Sequence, residues 1–188
     1  RGGNLPDAMK ISGQRLHETI WTRHTFCHAC PIGCGKAIEI KDGKYAGTVG
    51  EGPEYETLAF FGANLNITDL NAISQANDLC NRYGLDTIST GGVIAFAFEA
   101  YERGLITRAQ ANGFELTWGN ADALIGMVEA IAHRRGIGDW LAEGVDRAAK
   151  KLGAPDLNMT VKGMEMPAHD PRGYIPMGIN YATASLGA

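Results

Sequence analysis

No run of this sequence is long and apolar enough to span a bilayer; the best candidate, Val93 to Phe98, is short. No long cluster of lysine and arginine occurs either. Seventeen Lys and Arg stand against 21 Asp and Glu, a formal net charge of -4, and this mildly acidic balance argues against a nucleic-acid binder. No targeting segment is visible, which makes the cytoplasm the default setting. No internal repeat is found. Disorder is disfavoured too, because the 45% apolar fraction is that of a globular chain. At 188 residues the chain is one domain, or one domain and part of another, with enough length to bury a core. It opens with Arg1 instead of Met and stops at Ala188 in mid-pattern, so it reads as a piece of something longer.

Cysteine is scarce, yet three of the four cysteines fall at Cys27, Cys30 and Cys34. Spacers of two and three residues let a loop fold back and aim three sulfurs at one centre. Gly33 and Gly35 supply backbone freedom, and Pro31 sets a turn between the second and third sulfur. Spacing alone leaves three readings open. One is an iron–sulfur cluster with a fourth ligand from elsewhere. Another is a structural zinc site completed by His24 or His28. The third is a disulfide with a free thiol, which the missing secretory signal disfavours.

Hydrophobic periodicity predicts a mainly α chain with one short β-hairpin after the cysteine loop. A helix is expected over 7–21, with Met9, Leu16 and Ile20 inward. The hairpin is expected to pair 37–40 with 45–49 around a tight Asp42-Gly43 turn. Thr68-Asp69 opens a helix with Leu70, Ile73, Asn77 and Cys80 on one face and Gly84 as its stop. A buried helix follows from Ser89-Thr90 to Gly104. A third is capped by Asn120, turns Leu124, Val128 and Ile131 inward, and ends at Gly136. A fourth runs over 139–152. Residues 159–166 suggest a strand, and the tail beyond Pro167 and Pro171 reads as irregular.

Several stretches then carry a resemblance, in order, over almost the whole chain. They are Cys27-x-x-Cys30-Pro31-Ile32-Gly33-Cys34; Gly52-Pro53-Glu54-Tyr55-Glu56-Thr57; and the run from Leu79 through Asn81-Arg82-Tyr83-Gly84-Leu85-Asp86 to Gly91. Trp118-Gly119-Asn120, Gly138-Asp139-Trp140-Leu141 and the run from Lys162 to Gly173 complete the set. The chain resembles the aldehyde ferredoxin oxidoreductases, tungsten (sometimes molybdenum) pterin enzymes. The resemblance implies a helical second domain over 1–160, carrying the cysteine loop, and the start of a third domain over 161–188. It implies aldehyde oxidation to carboxylic acid, with electrons leaving the metal–pterin centre through a 4Fe–4S cluster. The expected partners are ferredoxin or a ferredoxin-like electron-transfer subunit and a small aldehyde, with no nucleic acid or membrane; a homo-oligomer stays open. An aryl-CoA reductase-type member of the family, and a non-enzymatic zinc-binding or interaction module, are the rivals.

The resemblance also assigns residues. Cys27, Cys30 and Cys34 match three cluster ligands, and the fourth is expected beyond Ala188. Cys80 reads instead as a small core residue. Asn81, Gly84, Leu85 and Asp86 match a pterin-binding pattern, with Asn81 where the family has Asp. Without the resemblance, the same residues read as a helix C-cap. Most of the tungsten (or molybdenum) bis-pterin would be bound outside this stretch. Glu56 and Glu54 are the candidate catalytic carboxylates, Glu56 foremost, since a partly desolvated glutamate suits a base; the plain alternative is two loop charges facing water. His169 is expected either to line the substrate cavity or to be a loop residue, and His24, His28 and His133 to be surface or loop residues.

Overall fold

The computed structural model describes residues 5–188; residues 1–4, with which the expected second domain opens, lie outside the described residues. The chain is mainly α, as its periodicity implies. Helices α1 (Gly13–Thr19), α3 (Leu70–Tyr83), α4 (Thr87–Glu102), α5 (Ala121–Ala132), α6 (Gly138–Leu141) and α7 (Val145–Leu152) surround one core, and α8 (Ile175–Thr183) follows in the tail. A short α2 (Tyr55–Thr57) runs into a π-helical segment, Leu58–Gly62, and a 3₁₀ turn, Ala63–Leu65. Strands β1 (Trp21–Thr25), β2 (Gly35–Glu39) and β3 (Val49–Glu51) form an antiparallel sheet in that order; β4 (Thr160–Val161) and β5 (Met164–Glu165) form a small hairpin.

The helix caps lie where local side-chain chemistry puts them. Asp69 accepts from the Asn71 and Ala72 amides at 3.0 and 3.1 Å, and Asn120 from those of Asp122 and Ala123 at 3.1 Å each. Both satisfy amides that a helix start leaves unpaired. Gly84 stops α3 in the left-handed region at φ 68. The inward faces hold as well, Leu16 and Ile20 included, except that Met9, expected inward, is 68% exposed because its 3₁₀ turn is a separate element from α1. Leu70, Ile73, Asn77 and Cys80 are buried, and Val93 to Phe98 is buried except at Ala95. At Gly91 the α4 backbone closes onto the π-helical segment: a Cβ there would stand 2.6 Å from that of Phe60. This approach fixes the segment that carries Glu56.

Elsewhere tertiary contacts override the local pattern. The expected helix over 7–21 is a 3₁₀ turn, Ala8–Ile11, and then α1, because Ser12 caps a new start by accepting from Arg15 N at 3.1 Å. Trp21–Thr25 is a strand, since β2 offers it a partner. The hairpin is real, but β2 pairs with β3 around a broad connection. Tyr45 turns in against the core, and the Thr48 hydroxyl bonds Tyr45 O and Gln75. Helix α4 starts at Thr87, two residues before the expected Ser89, because Asp86 accepts from Ser89 N at 2.7 Å. Helix α5 ends at Ala132, before Gly136, and the chain turns at Arg134 with φ 49. Residues 159–166 form a hairpin, not one strand, folded at Lys162 and Gly163 (φ 53 and 83). The tail expected to be irregular carries α8, with Pro176 in its first turn and Tyr181 buried.

The expected fourth helix is broken into α6 and α7 at Gly144, φ 86. The cause arrives from later in the chain. The buried Glu165 carboxylate accepts from Val145 N at 2.9 Å and from Ser89 Oγ at 3.0 Å. It therefore caps α7 and ties α4 to β5 at once. Glu165→Ala would strand the Val145 amide, so a loss of about 1–3 kcal/mol is expected, read as a lower unfolding midpoint. Glu165→Asp should not restore it, because the shorter stem reaches one partner only.

Candidate active site and cysteine loop

Gly52-Pro53 follows β3 and lets the backbone turn into α2, which presents Glu56 inward, while Glu54 at its N-cap points outward. The two candidate carboxylates thus part company. Glu54 is 57% exposed and reaches only Lys36 Nζ, at 3.5 Å. Glu56 is 23% exposed. Its Oε2 accepts from the Ala168 amide at 2.7 Å. Its Oε1 lies 2.9 Å from His169 Nδ1, an ion-pair distance, but the ring's direction does not make an aligned hydrogen bond. Oε1 is thus a buried carboxylate oxygen with an uncommitted lone pair, an arrangement rare enough to call for a chemical reason.

The segment opposite Glu56 is held by backbone. Tyr55 Oη donates to Ala168 O at 3.2 Å, and Tyr181 Oη donates to His169 O at 3.0 Å. Burial pushes the Tyr181 phenol up, and the Glu56 charge adds to that, so it remains a donor. His169 lines a cleft of about 740 Å³ with Phe60, Phe96, Trp118, Glu165 and Arg172. Another cleft of about 720 Å³, beside Met9, Arg15 and Asp69, shares none of these groups.

The helix that follows the 81–86 turn is tied to the residue after Glu56. Thr57, the next residue, shares a hydroxyl–hydroxyl bond of 2.9 Å with Thr87, the first residue of α4. Asp86 caps that helix, Leu85 packs against the core, and Asn81 is exposed beside the Gly84 stop. Two helix ends therefore account for Gly84 and Asp86 by themselves.

In the cysteine loop, Cys27 and Cys34 are exposed, Cys30 is half-buried, and all are free thiols. The chain turns at Cys27–Cys30, with Cys30 N on Cys27 O at 3.1 Å, and takes positive φ at Ala29 and Gly33. The Phe26 ring covers Gly33, where a Cβ would stand 2.3 Å from its edge. His24 Nδ1 meets Gly33 O at 3.0 Å, and Lys36 Nζ joins Cys34 O to Glu54. The donor chemistry suits a cluster. Yet no three His, Cys, Asp or Glu side chains among the described residues are gathered as a metal would require, and this holds for zinc with His24 or His28 as well. Cys80 is buried on α3, and burial pushes its thiol up to about 12, which keeps it protonated and unsuited to a metal. His133 sits at the surface on Glu129 and Tyr83.

The sequence singled out Glu56 and His169 but not their contact, nor Tyr55, Ala168 or Tyr181 as its supports. The one available signal was that these residues, Tyr181 excepted, lie in the two stretches 52–57 and 162–173.

All 188 residues match the family model described as aldehyde ferredoxin oxidoreductase, domains 2 and 3. Among curated relatives, the tungsten-containing aldehyde ferredoxin oxidoreductase of Pyrococcus furiosus is 46% identical and that of Thermococcus kodakarensis 43%, each over 98% of this chain. The chain spans about 30% of the length of these relatives. Among solved structures, the active-site complex BamBC of benzoyl coenzyme A reductase, bound to 1,5-dienoyl-CoA, superposes with a TM-score of 0.73. It is 26% identical and covers 92% of this chain and 26% of its own.

Proposed function

Because this chain belongs to the aldehyde ferredoxin oxidoreductase family, we propose that it is the part of such an enzyme that supplies the catalytic base and most of the cluster ligands. The reaction is aldehyde plus water to carboxylic acid. One observation carries the reading: the sheltered Glu56 carboxylate, fixed at Oε2 and uncommitted at Oε1. A base so placed takes a proton from water or from an aldehyde hydrate. Glu54, out in solvent beside Lys36, takes no part.

Cys27, Cys30 and Cys34 would hold three corners of a 4Fe–4S cluster, with the fourth ligand from outside these residues. Loading would draw their sulfurs together, as metal binding and loop folding are coupled. Asn81, Gly84, Leu85 and Asp86 would meet the edge of the tungsten or molybdenum bis-pterin, a reading supported by the Thr57–Thr87 bond, which ties the start of α4 to α2. When bound, the metal–pterin group would supply the two-electron acceptor for the oxidation, and a cluster held by Cys27, Cys30 and Cys34 would supply one-electron transfer toward ferredoxin or a ferredoxin-like subunit. We place residues up to 160 in the second domain and 161–188 in the third, with the Glu56–Ala168 bond between them. No helix among the described residues is long and apolar enough to cross a membrane. Unlinked exposed thiols suit a reducing compartment, and we place the protein in the cytoplasm.

The test is metal analysis of the full-length protein with an aldehyde-dependent electron-transfer assay. Iron, tungsten or molybdenum, and ferredoxin reduction by aldehyde are expected. One zinc and no iron would mean a zinc-binding module instead. Turnover of an aromatic CoA thioester without aldehyde activity would favour the reductase reading, which the fold likeness to the benzoyl coenzyme A reductase complex keeps in view.

A further inference from the structure

A sheltered base must pass on each proton it takes before it can act again. Among the described residues Glu56 has no direct outlet. Its side chain is 23% exposed, Oε2 is held by the Ala168 amide, and it does not line the 740 Å³ cleft. His169 does line that cleft, its side chain is 47% exposed, and its Nδ1 lies 2.9 Å from Oε1, so that a small rotation of the ring would align the two. Resting on the reading of Glu56 as the base, we propose that His169 is its proton outlet, passing protons from Oε1 through the imidazole to water in the cleft.

The step is balanced as a pure proton transfer. Protonated Glu56 gives its proton from Oε1 to Nδ1 of a neutral ring, and the proton on Nε2 leaves to a cleft water. The carboxylate is restored, the ring stays neutral as the other tautomer, and exchange with water resets it. No electron moves. Histidine suits this work because each ring nitrogen can give or take a proton near neutral pH.

The surroundings separate this role from that of a loop residue. Three hydrogen bonds hold the segment without using the imidazole: Tyr55 Oη to Ala168 O, Ala168 N to Glu56, and Tyr181 Oη to His169 O. The ring is left to Glu56 and to the Tyr55 ring, 5.5 Å away at a 56° tilt. The nearby charges cancel. Asp170 and Arg172 pair at 2.5 Å, and that guanidinium holds the Asp170 carboxyl down to about 2. Glu56 is therefore the charge that faces the ring.

The test uses the full-length protein. His169→Ala should lower kcat by about 10–100-fold, less than loss of the base itself, with KM unchanged. Added imidazole should recover much of the loss, whereas His169→Gln should stay slow and unrescued. A second measurement needs no turnover: in nitrogen-15 histidine spectra, the His169 Nδ1 resonance should move on Glu56→Gln. It decides the matter if His169→Ala loses its metals or fails to fold. An unmoved Nδ1 resonance, an unchanged kcat in His169→Ala, or a fall that imidazole does not relieve overturns the relay. If Glu56→Gln is slow while His169→Ala is fast, only the relay fails; if Glu56→Gln is fast, the reading of Glu56 as base fails.

Discussion

Replacing Glu56 by glutamine in the full-length protein should lower aldehyde turnover by about 10²–10⁴-fold, the range for losing a positioned base. Metal content and the unfolding midpoint should hold. The amide oxygen can still accept from Ala168 N, where Oε2 now sits at 2.7 Å, and the amide nitrogen can face His169 Nδ1. Shape and hydrogen-bond pattern survive, and only the basic group is lost. Glu54→Gln is the matched control. That side chain is exposed and reaches Lys36 at the limit of an ion pair, so turnover within about two-fold of the parent is expected. Full turnover in Glu56→Gln with full metal content would move the base outside these residues.

The second large effect concerns what holds Glu56 in place. Phe61 is fully buried in the π-helical segment that continues from α2, a segment that packs against α3 and α4 in the common core. Phe61→Ala removes the ring and leaves a cavity, which costs about 3–5 kcal/mol. Hydrogen exchange suits the measurement, because a protein of several domains need not unfold in one step. Amides of α3 and α4 should lose about 10²-fold or more of their protection. Turnover should fall too, since the same segment sets the position of Glu56. A loss below about 1 kcal/mol would mean that the segment is held by its hydrogen bonds and by the Gly91 contact instead of by the ring.

How far each feature could be read in advance depends on the range of the interaction behind it. The caps at Asp69 and Asn120 and the stop at Gly84 are contests between a side chain and its neighbours within four residues, and they lie where the residues imply. The buried stripe of α3 follows from a 3.6-residue period, and the apolar run Val93 to Phe98 buries the middle of α4 on nearly every side; no distant contact reverses either. The cysteine spacing was equally plain, and so was its ambiguity, because spacing fixes which sulfurs can meet and not what they hold.

Other features depend on partners far along the chain. Gly144 breaks a helix that its residues could have continued, because Glu165, on another element, offers Val145 N a better acceptor. Trp21–Thr25 becomes a strand because β2 presents an edge to it. Glu54 and Glu56 carry the same side chain two positions apart, and nothing local separates them. Packing does so, turning one to Lys36 and water and the other to Ala168 and His169 across more than half the chain. From its residues alone the chain determined its central helices α3, α4 and α5, most of their core faces, its donor-rich loop and the family pattern they spell. Which glutamate is sheltered, and which histidine meets it, was decided only when tertiary packing set a backbone amide and an imidazole against one carboxylate.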